Sequence, residues 1–369
     1  DLGLPGQLIQ MHTQARVLHQ SPWQGVLHIT GGGASLLTDM LSTPGASATV
    51  LEAKVPYAGA ALADLLGREP EQAASATTAR AMAMAAYARA RDLSSGQIFG
   101  LGVTASLVTD RPKKGQPRAH WAIQTRDRSH TFALTLDASA NRTQQENTLN
   151  LALWQSLGEV LPQSDTPAAA TEHQFIQASA DWQPLLEKSP YRWCSGDHDG
   201  SLLLPGSFDP IHAGHQQIIE TAEELTGRPG AFELTLRNAD KPDLDFLTVS
   251  ERLEKISARP VWLTNLTSFA DKAHAFPGAM FAVGTDTVSR IGELRFYRQS
   301  ETLREQALND LAACEVSFLV FGRVAKGRFI GLEDLTLPAT LSGLCQSVPE
   351  SRYRNDTSSS DIRRQSLMD

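Results

Sequence analysis

Residues Gly206–His215 read GSFDPIHAGH and follow directly on the apolar run Leu202–Leu204. The run predicts a buried strand, which Gly206 and Pro210 end. Gly214 and His215 then open a helix that is predicted to continue to about Thr226 and to stop at Gly227, with Pro229 just beyond. A strand, a glycine-bearing turn and a helix start leave backbone N–H groups free and set the positive end of a helix dipole beside them, which is a phosphate site. His212 and His215 stand three apart, so both face the same anion.

Around this turn, strand and helix signals alternate. Ala231–Arg237 alternates Phe232, Leu234 and Leu236 with polar residues, as a half-buried strand does. Thr248 and Glu251 read as a capping box ahead of the helical SERLEKISA. Short strands are predicted at Val261–Leu263, Met280–Val283 and Val316–Phe321, with helices at Ser268–Phe276 and Glu301–Ala313. The pattern predicts an α/β fold with a doubly wound parallel sheet, whose ligands bind beyond the carboxyl ends of the strands. The turn, Gly284–Asp286 and Asn238–Lys241 all fall at such ends.

The turn resembles the mark of the nucleotidylyltransferase superfamily, a strand followed by G-[ST]-F-D-P-x-H-x-G-H. It stands complete as Gly206, Ser207, Phe208, Asp209, Pro210, His212, Gly214 and His215. The superfamily also carries I-S-S-T-x-I-R late in the chain, at the start of a helix. TSSSDIRR over Thr357–Arg364 is similar at Ser358, Ser359, Ser360, Ile362 and Arg363, with Thr357 for the leading Ile and Ser360 for Thr. Taken alone, that segment also reads as a disordered, phosphorylatable tail. Gly284 and Asp286 in FAVGTDTVSRI resemble the V/I-G-x-D segment of nicotinate and nicotinamide mononucleotide adenylyltransferases, where it lies against the nucleotide; a strand end with Asp286 as helix cap is the alternative. Lys241 stands where the superfamily often places a substrate contact, or is a solvated loop lysine. Arg323, Lys326 and Arg328 read as a solvated basic loop, with help at the phosphates as the alternative.

The resemblance spans about Leu202 to Arg364 and implies transfer of a nucleotidyl group to a phosphate oxygen with loss of pyrophosphate. His212 and His215 would donate to the phosphates and Arg363 would clamp the β- and γ-phosphates. Ser358–Ser360 would complete the cradle, and Gly206, Ser207, Phe208, Asp209 and Gly214 would line it. Mg2+ would come with ATP, with no dedicated metal cage. The form Pro210-x-His212 and the serine tail look most like the adenylyltransferases for nicotinamide or nicotinate mononucleotide, so ATP and a small phosphorylated acceptor are the expected partners. A cytidylyltransferase, another acceptor and a non-catalytic nucleotide-binding protein stay open, as does a homo-oligomer.

The first region, about Val26 to Leu157, resembles the C-terminal domain of the CinA family, which is known for nicotinamide mononucleotide deamidase activity. Thr30-Gly31-Gly32, Leu36-Leu37-Thr38, Pro44-Gly45-Ala46-Ser47, Tyr57, Leu65-Leu66-Gly67, Gly102-Val103-Thr104, and Arg142 with Glu146 carry the likeness. The family opens its motif E-S-x-T-G-G with the proposed serine nucleophile, but Leu27 and His28 hold those two places here, and Leu62 stands where the family has a lysine. The resemblance therefore implies a domain without deamidase activity. An Ala-rich helix is predicted over Pro70–Asp92, with Met82 and Met84 as packing residues.

The division expected is 1–160 for the first domain, 161–195 for a connector that opens with the linker-like Pro162–Ala170 and carries a short helix within Thr171–Glu187, and 196–369 for the nucleotidylyltransferase domain. The chain's 369 residues leave room for both. A hydrophobic share of 41% and a charged share of 20% are those of a globular protein. No run approaches the ~20 apolar residues of a membrane span, and a net charge of −8 argues against a general nucleic-acid binder. Cys194, Cys314 and Cys345 are scattered and form neither a zinc pattern nor a disulfide framework, which points to the reducing cytoplasm. No signal peptide is read; because the chain opens at Asp1 and not Met, a removed leader stays open.

Overall fold

The computed structural model describes residues 13–110, 115–161, 171–238, 240–256, 259–325 and 327–354. By internal contacts they divide into two compact units. One comprises the described residues up to Gln183 together with Asn238–Thr248; the other comprises Pro184–Arg237 and the described residues from Val249 onward.

The first unit is built on six strands: β1 (Trp23–Thr30), β2 (Val50–Lys54), β3 (Gln97–Ser106), β4 (Arg118–Gln124), β5 (Arg128–Thr135) and β6 (Glu172–Gln177). They run in the order β2-β1-β3-β4-β5-β6, with β2, β1 and β3 parallel and the rest antiparallel. Its helices are α1 (Ala34–Ser42), α2 (Gly59–Leu66), α3 (Ala76–Leu93) and α4 (Arg142–Val160). The inward residues of one sheet face, Leu27, Ile29, Phe99, Val103, Trp121 and Phe132, bury against Leu36 of α1 and Leu153 and Trp154 of α4. The other face takes α3 at very short range. A Cβ at Gly100 would lie 2.2 Å from the Ala83 carbonyl, and one at Gly102 would lie 2.3 Å from that of Ala79. The glycines on β3 and the alanines on α3 are thus one feature, a helix lying almost backbone to backbone on a strand. Met82 and Met84 are buried packing residues.

The short helix expected within Thr171–Glu187 is a 3-10 turn at Gln183–Leu186, and Glu172–Gln177 ahead of it is strand β6 of the first sheet, because His173 and Phe175 find stacking partners in Phe132 and His130 that periodicity alone does not reveal.

The second unit carries β7 (Arg192–Cys194), β8 (Leu202–Gly206), α5 (Ala213–Thr226), β9 (Ala231–Thr235), the main part of α6 (Phe246–Lys255), β10 (Val261–Thr264), α7 (Phe269–Ala275), β11 (Met280–Gly284), α8 (Thr285–Ile291), α9 (Glu301–Ala313), β12 (Ser317–Phe321), a small hairpin of β13 (Arg323–Ala325) and β14 (Arg328–Ile330), α10 (Ala339–Gly343) and β15 (Cys345–Val348). The seven-stranded sheet has the order β15-β12-β11-β8-β9-β10-β7 and is parallel apart from β7. From β8 the chain builds outward through β9 to β10, then returns to β11 on the other side of β8 and continues to β12 and β15. The strand order therefore reverses between β8 and β11, which makes a crevice at their carboxyl ends. The core of this sheet centres on Leu203, Phe281, Val283, Phe318 and Val320.

Helix α6 begins two residues before Thr248. Its start is held by Asp245, whose carboxylate accepts the Thr248 N–H at 3.0 Å and the Thr248 hydroxyl at 2.6 Å. Thr248 is a guest of that cap and not the cap itself, because an acidic side chain three residues earlier reaches the same N–H first. The segment Asn238–Thr248 packs within the first unit. Phe246 N–H donates to Ser129 Oγ at 2.9 Å, Arg80 and Asp245 form an ion pair at 3.5 Å with side chains 10% and 8% exposed, and the Asp240 carbonyl lies where a Cβ on Gly67 would be.

Candidate functional site

The turn after β8 folds back on its own strand. Phe208 is buried with φ +47°, and its ring lies where a side chain on Gly206 would stand, 2.7 Å from an ideal Cβ. Only glycine at 206 lets that ring in. From there Phe208 meets the edges of Phe232 at 5.0 Å and His215 at 5.2 Å between ring centroids. Phe208 is therefore the packing block behind the turn, and Ser207 beside it is exposed.

Helix α5 starts as the spacing predicts, with His212 as its extended N-cap and Gly227 as its left-handed stop at φ 68°. The two histidines cap it together. His212 Nδ1 accepts the Gly214 N–H at 3.2 Å, and His215 Nδ1 accepts the His212 N–H at 3.2 Å. An acceptor nitrogen carries no proton, so both neutral rings hold theirs on Nε2. The rings lie 3.9 Å apart at 35°. Burial, with the neighbouring His212 adding to it, brings the His215 pKa down to about 4, and burial lowers His212 as well. The site thus presents two neutral N–H donors at a helix N-terminus.

One residue here was not singled out in the sequence. Arg252 of α6 donates through Nη1 to the Ser207 carbonyl, and its Nη2 lies 3.5 Å from Asp209 Oδ2. It spans both ends of the left-handed Phe208. The signal available was its place on the stripe Val249–Arg252–Ile256, whose two apolar members are buried. Asp209 is thereby engaged by a guanidinium, and among the described residues no group of three His, Cys, Asp or Glu is placed to hold a metal.

Gly284 ends β11, the strand next to β8, so its turn and that of Gly206 flank the crevice at the switch point. No atom lies within 4 Å of an ideal Cβ at Gly284, which leaves open space there. Gly284 is the N-cap of α8, and Asp286 sits in its first turn, 2.9 Å from Arg323 with both side chains more than half exposed. Lys241 is exposed and belongs to the segment that packs with the first unit, not to the unit that holds His212 and His215. Ser358, Ser359, Ser360 and Arg363 lie outside the described residues, as does Lys326.

In the first unit, the strand position ahead of the glycine turn is closed. His28 is 1% exposed in β1, with Nδ1 3.2 Å from the Met82 carbonyl, and burial holds its pKa at about 4. Leu62 packs with Leu66 and Met82 in a small apolar cluster. The Gly31–Gly33 turn opens α1, but Glu146 already accepts the N–H groups of Gly33 at 2.9 Å and Ser35 at 3.0 Å. Arg142 donates to Val108 O, Gly31 O and Tyr57 Oη. No helix among the described residues is long and apolar enough to cross a membrane.

Among solved structures, the chain is similar to the competence/damage inducible protein CihA of Agrobacterium tumefaciens at 20% identity, covering 42% of this chain and 97% of that one with a TM-score of 0.36. It is also similar to the competence damage-inducible protein A (ComA) of Klebsiella pneumoniae subsp. pneumoniae MGH 78578 at 14% identity, 42% and 96% coverage and a TM-score of 0.36. For the CinA superfamily protein of Escherichia coli the values are 15% identity, 41% and 88% coverage and a TM-score of 0.32. No curated protein matches this sequence. Residues 203–365, somewhat less than half of the chain, match the family described as cytidylyltransferase-like, and that likeness supports a nucleotidyltransferase.

Proposed function

We propose that the second unit transfers AMP from ATP to the phosphate of nicotinamide or nicotinate mononucleotide. The observation that carries this reading is the His212–His215 pair, which offers two neutral N–H donors at a helix N-terminus beside the switch point of the sheet. An acceptor phosphate oxygen attacks the α-phosphorus, the bond from that phosphorus to the bridging oxygen of the β-phosphate breaks, and pyrophosphate leaves. The acceptor is already ionised near neutrality, so no general base is required. Catalysis is then placement and stabilisation of charge on the phosphoryl oxygens, for which fixed donors at a helix start are suited.

Magnesium enters as part of the nucleotide substrate, held by phosphate and water. Tyr353 packs on Phe321 at the carboxyl end of β12, so the chain sets out from the ligand edge of the sheet shortly before Ser358–Ser360 and Arg363. We assign those residues to the β- and γ-phosphates, and Gly206, Ser207, Asp209, Gly214, Gly284 and Asp286 to the walls of the nucleotide site. The first unit is read as a degenerate relative of the deamidase-type domain, supported by the buried His28 and the apolar Leu62 cluster.

The match to a cytidylyltransferase-like family favours CTP as the second reading. Pyrophosphate release by the purified full chain with magnesium tests both. ATP and CTP are each offered with nicotinamide mononucleotide, nicotinate mononucleotide and phosphopantetheine, with His215→Ala as control. Release with ATP and a pyridine mononucleotide, lost in the control, supports the proposal. Release with another pair keeps the reaction class and discards the acceptor, and no release from protein that binds ATP replaces the enzyme with a nucleotide-binding protein.

A further inference from the structure

The first unit has a second polar concavity, far in sequence from its glycine turn. On the face that α3 covers, Ala122 of β4 packs against Ala79 and Ala83. Two residues earlier on the same face stands His120, and beyond α3 the sheet is no longer apolar. A cleft of about 260 Å³ opens there, lined by Arg118, His120, Ala133, Leu134, Thr135 and Glu172. Register explains its shape. His120 lies opposite Ala133, and Ala133 opposite Glu172, while the neighbouring row pairs Arg118 with Thr135. Ala133 is therefore the floor, and the long side chains on either side are its walls. With strands ~4.8 Å apart, the backbones carrying His120 and Glu172 stand roughly 10 Å from each other.

The walls have unused bonding capacity. Arg118 and Glu172 line one small cleft yet form no ion pair with each other, and among the described residues Arg118 Nε and His120 Nδ1 are buried without a hydrogen-bond partner. A buried polar atom left in that state is unfavourable, and these two stand on adjacent rows of one cleft. A guanidinium, a carboxylate and an imidazole around a small floor complement a compact molecule that carries its own carboxylate and ammonium group.

We propose that this cleft binds a free α-amino acid, its carboxylate on Arg118, its ammonium on Glu172 and a polar side-chain atom on His120. Burial and the nearby Arg118 charge lower the His120 pKa, which keeps that ring a neutral partner.

The test is ligand-observed NMR and calorimetry on the full chain with each standard amino acid at millimolar concentration, followed by N-acetyl and α-amide forms of the best binder. Saturable binding is expected from at least one free amino acid, weakened at least about tenfold when either charged group is blocked and by Arg118→Gln or Glu172→Gln. Ala133→Leu fills the floor without touching a charge and is expected to abolish binding in protein whose circular dichroism is unchanged. Absence of saturable binding across the panel overturns the proposal. So does binding that survives Ala133→Leu, or that is indifferent to blocking the ammonium and carboxylate.

Discussion

His212 and His215 cap one helix jointly: the N–H of His212 donates to the ring of His215, while the ring of His212 accepts from Gly214. Each ring is thereby committed to a single tautomer with its proton on Nε2. Protonating His215 would cost it the bond from His212, in line with a pKa of about 4. For the transfer proposed above, the histidines are expected to impose no loss of rate from mildly alkaline pH down to slightly acid pH, and a decline as pH approaches about 4. His215→Ala is expected to lower kcat by about 10²–10³-fold, the range for one lost donor to a developing charge. A pyrophosphate-release profile against pH, run with and without the substitution, checks both statements. A rise in rate as the histidines become charged would contradict the neutral-donor reading.

Arg252 is expected to act on the turn and not on substrate. Its guanidinium holds the backbone on one side of Phe208 and the Asp209 carboxylate on the other. Arg252→Ala removes a charge-assisted hydrogen bond of the kind that contributes about 1.5–3 kcal/mol, discounted here because Asp209 is partly exposed. The expected result is a lower thermal midpoint for the second unit and a fall in kcat larger than any rise in KM. Arg252→Lys keeps the charge but not the fork, and is expected to recover part of the loss.

Gly102 faces the backbone of α3. Gly102→Ala places a methyl 2.3 Å from the Ala79 carbonyl and 2.4 Å from the Ala83 nitrogen, so helix and sheet must separate. Overpacking of this kind costs about 1–3 kcal/mol. Hydrogen exchange of β3 and α3 peptides is expected to rise in the variant, while peptides from β8 and β11 keep the wild-type rates.

The first unit is expected to weaken in acid. Burial holds His28 at about 4 and His130 at about 3, both below the ordinary 6.5. The unfolded chain takes up those protons first as pH falls below 6.5, so the folded state has its full stability above that value and loses it progressively down to the folded values. His130 stacks with Phe132 and Phe175 and bonds His173 at 3.0 Å. His130→Phe retains the stack without the titration and is expected to flatten the pH dependence of exchange in β4–β6.

How much of this was legible beforehand differs between residues. The turn was legible because its causes are adjacent in the chain: an apolar run, a glycine that admits the Phe208 ring, histidines three apart and a left-handed Gly227. Arg252 was not, since its two partners lie more than forty positions away and its own neighbours spell an ordinary amphipathic helix. Strand β6 was missed for a related reason. EHQFIQ alternates weakly, and what makes it a strand is the ring stack it completes against β5.

By itself the sequence determined the strand, turn and helix around His212 and His215 and the alternation that makes each unit α/β. These depend on propensities and spacings within a few residues, which a linear string contains. Tertiary structure alone decided that β8 and β11 are neighbours and so form the crevice, that Asn238–Thr248 and its Lys241 pack with the first unit, and that Arg118, His120 and Glu172 share a cleft. Those relations come from pairings between segments distant in the chain, where register and burial, and no local preference, select the partner.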